Sequence, residues 1–444
     1  MTTEPHTVSE LHHDNTDGLS AGESNFSGPD RPSWELYSTC VHCGLCLNHC
    51  PTYRVLGQEM DSPRGRIYQV LQVDAGRLPI GDSFVKHIDR CLDCRACETA
   101  CPSGVQYGHI VERARAQIEQ HYPRPWLTRH LREFFFRHML GNPERLARVA
   151  RLLRFYQRSG LQTIARTSGL LRLMGIAQLE RLQPRIDDHF FFDQIGKIFP
   201  AEGEIRARVA LHAGCIACVA FSELNHATIR VLNRNGVEVW VPRGQNCCGA
   251  LQAHAGFRNE ARALALQNIK AMLDDKFDAI VTNAAGCGST LKEYDDLLRE
   301  GLRHQEAEKF VGKVKDISEF LQQLGLRAPK RTLNIKATYQ DPCHLAHGQR
   351  IRSAPRELLH AIGVELEEMP NPDQCCGSAG SYNVTQNELS MRILDEKMKD
   401  IGRTSADLVV TANVGCMLQL RAGMARTGRA VPIKHVVEVL DSCY

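Results

Sequence analysis

Residues 40–51 read CVHCGLCLNHCP and residues 91–102 read CLDCRACETACP, so the spacing C-x2-C-x2-C-x3-C-P occurs twice without deviation. Three cysteines at two-residue intervals let one loop wrap a face of a cubane, while the proline holds the fourth away from it. In the crossed pattern of such runs, Cys40, Cys43, Cys46 and Cys101 bind one [4Fe-4S] centre, and Cys91, Cys94, Cys97 and Cys50 bind the other. Zinc is the competing reading. Its structural sites use separated C-x2-C pairs, which three closely spaced cysteines and a following Cys-Pro fit poorly. Two adjacent clusters would form a wire for single electrons. Arg64, Arg66 and Arg95 stand near these runs and are expected as solvated surface side chains, the alternative being that their charge raises the cluster potentials.

Working outward, the chain holds an internal repeat. Cys215 is followed 32 positions later by Cys247-Cys248-Gly249, Cys343 is followed 32 positions later by Cys375-Cys376-Gly377, and each unit leads to a lone Gly-Cys at Cys287 or Cys416. The copies are offset by 128 residues at the start and 129 at the end. Each reads strand, helix, strand, Cys-Cys-Gly loop, helix, strand, Gly-Cys. In copy one the strands are 209–211, 237–241 and 279–282 with helices at 222–235 and 260–273. In copy two the strands are 337–339, 364–369 and 408–411 with helices at 353–362 and 389–400. Alternation of this kind predicts an α/β fold with parallel strands, whose ligands gather at the carboxyl ends where these cysteines fall. Cys215, Cys247, Cys248 and Cys287, and Cys343, Cys375, Cys376 and Cys416, are accordingly two further candidate metal sites. Gly249 and Gly377 would let backbone approach closely.

The 18 cysteines in 444 residues are too many for chance and the chain is too long for a small disulfide scaffold. No apolar core follows a positive start in the first thirty residues, and no uninterrupted apolar run is long enough to span a bilayer. A reducing cytoplasm is the expected compartment, where clustered cysteines are metal ligands or catalytic thiols. A net charge of +3 from 54 basic and 51 acidic side chains gives no reason to expect a nucleic acid partner.

The expected division is a disordered leader at 1–33, a two-[4Fe-4S] ferredoxin-type helical domain at 34–125, a basic helical connector at 126–204, and Cys-Cys-Gly domains at 205–330 and 331–444. From Arg124 to Arg185 the chain carries thirteen arginines against Glu133, Glu144 and Glu180. A solvated helix face is the plain reading. Docking onto the inner face of the cell membrane or onto an acidic subunit is the sharper one, with Phe134, Phe135, Phe136 and their neighbouring arginines in contact.

Two ferredoxin-type runs followed by two Cys-Cys-Gly units resemble the glycolate oxidase (glycolate dehydrogenase) iron-sulfur subunit family. The resemblance rests on residues 40–44 (CVHCG), 50–53 (CPTY), 62–68 (SPRGRIY), 94–105 (CRACETACPSGV), 285–288 (AGCG) with 292–294 (KEY), and 375–382 (CCGSAGSY), and covers residues 35–440. It implies an electron-transfer subunit beside flavin-binding subunits that oxidise glycolate to glyoxylate and pass electrons to an acceptor such as quinone. The residues agree with that division of labour, because no G-x-G-x-x-G follows a strand and no flavin site is legible on this chain. Removing a hydride needs a two-electron acceptor, whereas clusters carry single electrons. The same spacing leaves lactate or glycerol 3-phosphate dehydrogenases open as the parent complex.

The Cys-Cys-Gly unit is also similar to the catalytic subunit of heterodisulfide reductases, whose pattern ends C-x2-C. Thr290 and Gln419 occupy the positions of that last cysteine, and Cys218 is a substitute in copy one alone. A cubane, an altered cluster or no metal therefore remain open for the repeats. His42, His49, His212, His344, His347 and His435 lie near cysteines and are expected as hydrogen-bonded structural histidines. Tyr294 and Tyr382 are expected in packing, and Cys443 as an incidental terminal thiol.

Overall fold

The computed structural model describes residues 23–177, 180 and 182–444; the greater part of the expected leader, residues 1–22, lies outside them. The remainder of that leader is part of the fold. Ser24 Oγ donates to Asp74 at 2.7 Å, Phe26 packs on Phe84, and Asp30, 2% exposed, pairs with Arg258 at 2.7 Å. Ser24, Phe26 and Asp30, expected in a disordered leader, are thus packed and paired. Asp30 and Arg258 are 228 positions apart, a pairing that no local composition reveals.

Helices Pro63–Asp74, Asp82–Asp89 and Tyr107–His121 enclose a core of Ile67, Val70, Phe84, Ile88, Ile110 and Ile118, from which both cysteine runs hang as loops. Ser62 caps the first of these helices by accepting from Gly65 N, with Pro63 at the opening position. The connector forms helices Trp126–Glu133, Pro143–Arg158, Leu161–Thr167 and Leu170–Leu173, with a π-turn at Phe134–Met139.

The first Cys-Cys-Gly domain contains β1 (Ile198–Phe199), β2 (Ala207–Leu211), β3 (Val237–Trp240), β4 (Ala279–Thr282) and β5 (Val314–Asp316), in the order β1-β3-β2-β4-β5. All pairings are parallel except β1 with β3. Ile186 and Phe191 share a core with both repeats, as do Leu146 and Ala150 of helix Pro143–Arg158, and β1 completes the first sheet, so the stretch expected as a connector packs into the repeats. The second domain contains β6 (Lys336–Tyr339), β7 (Glu365–Leu366), β8 (Leu408–Thr411) and β9 (Ile433–His435), ordered β7-β6-β8-β9 and wholly parallel. The strand expected over 364–369 shrinks to Glu365–Leu366. It is an edge strand, and the chain beyond it runs into Pro370 and Pro372, which have no N–H to offer a ladder.

Helix Ser222–Arg234 of the first copy packs on Val436–Asp441 of the second, and helix Ser353–Ala361 of the second packs on Ile317–Leu324 of the first. The exchange is reciprocal, as in a twofold dimer folded within one chain. Matching capping boxes begin the two exchanged helices, Asp316 with Glu319 and His435 with Glu438. Cys443 is 1% exposed in this shared core and its thiol donates to Val439 O, so it is a packing residue and not the incidental thiol expected.

Buried ions join the amino-terminal domain to the first repeat. His254 Nδ1 lies 2.7 Å from Glu112 and 3.1 Å from Asp93, Arg258 lies 3.3 Å from Glu112, and Arg95 pairs with Glu293. Burial works against a charged imidazole here, but the carboxylates of Asp93 and Glu112 overcome it and push the His254 pKa up to about 9. Asp93, Glu112 and His254 are close enough to hold a cation, yet the protonated imidazole is itself the cation of the group. A folded-state pKa raised from 6.5 to about 9 gives stability that is fully present below pH 6.5 and is lost as pH rises through about 9. Thermal unfolding of the anaerobic protein should therefore show a falling Tm across that window. His254→Gln should lower Tm at pH 6.5 and flatten the fall, and parallel curves for the two proteins would show that His254 does not clamp the domains.

Candidate metal centre

The two runs fold as matched loops. His42 and Asp93, each two residues after the first cysteine of its run, have φ of 53° and 53°, and Gly44 and Arg95, each after the second cysteine, have φ of 83° and 60°. Left-handed backbone costs about 1–2 kcal/mol at a residue with a side chain. Its recurrence at equivalent positions indicates that the turn is required to bring three sulfur atoms to one point.

One cavity is lined by Cys40, Cys43, Cys46 and Cys101, and a second by Cys50, Cys91, Cys94 and Cys97, with Cys97 on the wall of both. These are the two sets into which the crossed pattern divides the eight residues. The first cavity lies at the surface: Cys43 is exposed, and Val41 and Leu45 on its rim are 68% and 58% exposed. The second is interior, with all four of its cysteines buried. Burial and the neighbouring sulfurs push the Cys46 thiol up to about 11 and the Cys94 and Cys97 thiols well above their ordinary value. Thiols so placed become thiolates together only when a cationic centre sits among them, which is the donor set an iron-sulfur cluster takes.

Arg66 and Arg95, expected in solvent, are 1% and 3% exposed. Arg66 donates to His87 O at 2.7 Å and to Thr52 Oγ1 at 3.1 Å, and its Nη1 lies 4.0 Å from Cys50 Sγ. Asp61, 3.6 Å away, shares its charge. Arg64 is the one of the three at the surface, bound to Glu59 at 2.8 Å. The loops also recruit residues that spacing does not single out as site residues: Thr52 Oγ1 lies 3.1 Å from Cys50 Sγ, and Tyr107 OH donates to Cys91 Sγ at 3.7 Å. Thr52 and Arg66 fall within the CPTY and SPRGR stretches, the only sequence signal for them.

In the repeats, the cysteines follow strands at the carboxyl edge of each sheet. Cys215 and Cys287 follow neighbouring strands β2 and β4, and Cys343 and Cys416 follow β6 and β8, so each pair flanks the point where strand order reverses. Cys215 and Cys247 approach to 3.4 Å, and sulfur contacts continue through Cys248 to Cys287. The second copy repeats the sequence of contacts from Cys343 through Cys375 and Cys376 to Cys416. Gly249 and Gly377 adopt φ of 84° and 88°, and a Cβ on Gly377 would meet Ser390 O at 2.5 Å. Thr290 donates to Gly286 O, and Gln419 donates to Ser390 Oγ at 2.9 Å, so both positions that lack a fifth cysteine have partners of their own. Cys218 lines one cavity with Cys215 and Cys247 and donates to Ala213 O.

Four of the flagged histidines are structural. His212 meets Asn246 O at 3.0 Å, His344 meets Asp93 O at 2.9 Å, His347 meets Asp373 O at 2.9 Å, and His435 caps Val437 N. Burial lowers His212, His344 and His435 to about 4, leaving them neutral. His42 and His49 are exposed instead. Tyr294 donates to Cys248 O at 2.8 Å and Tyr382 to Arg90 O at 2.9 Å, which anchors both repeat loops.

Comparison with known proteins accounts for the same segments. Residues 37–105 match the 4Fe-4S dicluster domain, 127–183 the linker region of the glycolate oxidase iron-sulfur subunit, and 209–292 and 337–421 the cysteine-rich domain. The probable glycolate oxidase iron-sulfur subunit of Bacillus subtilis is 40% identical over 90% of this chain and 92% of its own length. The glycolate oxidase iron-sulfur subunit of Escherichia coli is 32% identical over 91% and 94%. Lactate utilization protein A of Halalkalibacterium halodurans is 30% identical over 53% of this chain and 96% of its own. Identity sustained from the dicluster loops through the linker to both cysteine-rich repeats means that the chain belongs to the glycolate oxidase iron-sulfur subunit family.

Proposed function

We propose that this chain is the electron relay of a flavin-dependent glycolate dehydrogenase, taking electrons from flavoprotein subunits that convert glycolate to glyoxylate and delivering them to a quinone. The observation that carries the reading is a continuous path of sulfur from surface to interior. The exposed cavity of Cys40, Cys43, Cys46 and Cys101 shares the Cys97 wall with the buried cavity of Cys50, Cys91, Cys94 and Cys97. Cys94 and Leu92 then pack with Cys343 and Cys375 of the second repeat. Each set of four would hold one [4Fe-4S] cluster, which when bound accepts and releases a single electron. The residues around it exclude water, donate to sulfur and fix the distance to the next set.

Each repeat set, Cys215, Cys247, Cys248 and Cys287 or Cys343, Cys375, Cys376 and Cys416, is proposed to hold a further iron-sulfur cluster. The relatives named for lactate utilization match little more than half of this chain, which favours glycolate over lactate for the parent complex.

Docking at the inner face of the cell membrane is proposed for the connector. Among the described residues no helix is long and apolar enough to cross a membrane. Helix Pro143–Arg158 instead presents Val149, Leu152 and Phe155, which are 42%, 70% and 64% exposed, with Arg148 and Arg151 beside them. An exposed apolar stripe flanked by arginines suits an anionic bilayer surface. Arg154 is not part of that surface, since it donates to Asp187 O and lies over the Phe190 ring. Phe136 is buried against Phe257, leaving Phe134 as the exposed member of its run.

Two experiments test the reading. Cys94→Ser should remove one cubane from the electron paramagnetic resonance spectrum and abolish glycolate oxidation by the complex, while glycolate still reduces the partner's flavin; full turnover in this variant would refute the relay. Leu152→Glu with Phe155→Glu should abolish co-sedimentation with phosphatidylglycerol vesicles and leave the cluster spectrum intact. Unchanged sedimentation would return the stripe to a solvated or subunit-facing role.

A further inference from the structure

The two repeats match in the spacing of their cysteines and differ in the charge placed behind them. In both, a helix follows the Cys-Cys-Gly loop and packs on its glycine, through Ala261 against Gly249 in the first copy and Ser390 against Gly377 in the second. Seven residues further along the same helix face, each copy aims one polar side chain back at the loop. In the first it is Asn268, fully buried, which donates to Cys247 O at 2.9 Å and accepts from Asn246 N at 2.8 Å. In the second it is Lys397, 2% exposed, whose Nζ donates to Asn371 O at 2.6 Å and Pro372 O at 3.3 Å.

Those carbonyls belong to the loop that leads into Cys375 and Cys376. They satisfy two donors of the ammonium but none of its charge. Among the described residues no carboxylate lies within ion-pair distance of Lys397; Asp400 is occupied by Asn371 and Arg403, and Asp373 by Arg352. A buried cation without a counter-ion is costly unless an anion faces it. The anion on this side of the loop is the sulfur set: Lys397 stands on the helix whose Ser390 packs on Gly377, and its Nζ is held by the carbonyls three and four residues before Cys375. Burial pulls the Lys397 ammonium below its ordinary value, and the Cys376 and Cys375 sulfurs with Asp400 and Asp373 oppose that pull. The first copy has no equivalent. Its loop is backed by neutral Asn268 and by His212, whose burial keeps it uncharged.

We propose that Lys397 sets the two repeat sites apart in reduction potential, its fixed charge making the Cys343, Cys375, Cys376 and Cys416 site the stronger electron acceptor of the pair. The inference rests on the reading that the repeats bind clusters. It also gives the duplication a direction. The site with the lysine adjoins Cys94 of the dicluster domain, so an electron entering the repeats from that side meets the more favourable station first. A cation beside a cluster stabilises its reduced, more negative form, and the effect is large where water is excluded.

The test is a potentiometric titration of the full chain, purified without oxygen and followed by electron paramagnetic resonance. Cys376→Ser first identifies the signal of the second repeat; if it removes neither signal nor iron, the repeat holds no cluster and the underlying reading fails. Given that signal, Lys397→Gln should make its reduction at least tenfold less favourable, a drop of about 59 mV for a one-electron couple, with every other midpoint unmoved. Lys397→Arg should stay close to the wild type. An unchanged midpoint in Lys397→Gln overturns the proposal and leaves the lysine as a tether for residues 371–372. Should that variant shed its cluster, Asn268→Lys reads the same electrostatics in the opposite sense, and a first-repeat midpoint that does not rise overturns the proposal equally.

Discussion

Sulfur atoms gathered away from water repel one another as thiolates and resist losing their protons, so a fold that gathers them needs positive charge at the same points. That need is answered at two of the four cysteine sets by a buried basic side chain held close behind them. Arg66 lies behind Cys50, Lys397 behind Cys376, and backbone N–H groups of Asp93 and Gly377 point at Cys91 and Cys375. Donors to sulfur and nearby cations stabilise a reduced cluster, so the groups that make the sites foldable also set how readily each accepts an electron.

The surrounding architecture keeps these sites at fixed separations. The dicluster domain is not a module on a tether: its loops are clamped to the first repeat through His254, Arg258 and Arg95, and to the second through Tyr382, His344 and Thr99 with His347. The two repeats in turn exchange helices across a common core. Electron transfer between centres depends on distances that do not fluctuate, and buried ion pairs with two-sided packing supply that rigidity. The cavity of Cys40, Cys43, Cys46 and Cys101 lies at the surface, and its apolar rim of Val41 and Leu45 gives a partner subunit a place to approach.

Much of the site could be read without coordinates, because ligand spacing is a local property. The two amino-terminal cysteine runs, the 128-residue duplication and the strand ends that carry Cys215 and Cys343 all follow from patterns within a few residues or at one repeated offset. Charge assignments were the weak point. Arg66 and Arg95 look like surface arginines in a polar loop, and Asp30 looks like part of an acidic leader. Arg95 and Asp30 are buried because their partners, Glu293 and Arg258, arrive from distant parts of the chain, whereas Arg66 is buried within its own domain among Thr52, Asp61 and His87.

The sequence by itself determined where the cysteines cluster and that strands alternate with helices in two copies, since spacing, periodicity and repetition survive in one dimension. Tertiary structure decided which set lies next to which, which cysteine set opens to the surface, and where the compensating cations sit. Those properties arise from contacts between separate elements, some of them hundreds of positions apart, whose energies depend on burial that no linear pattern encodes.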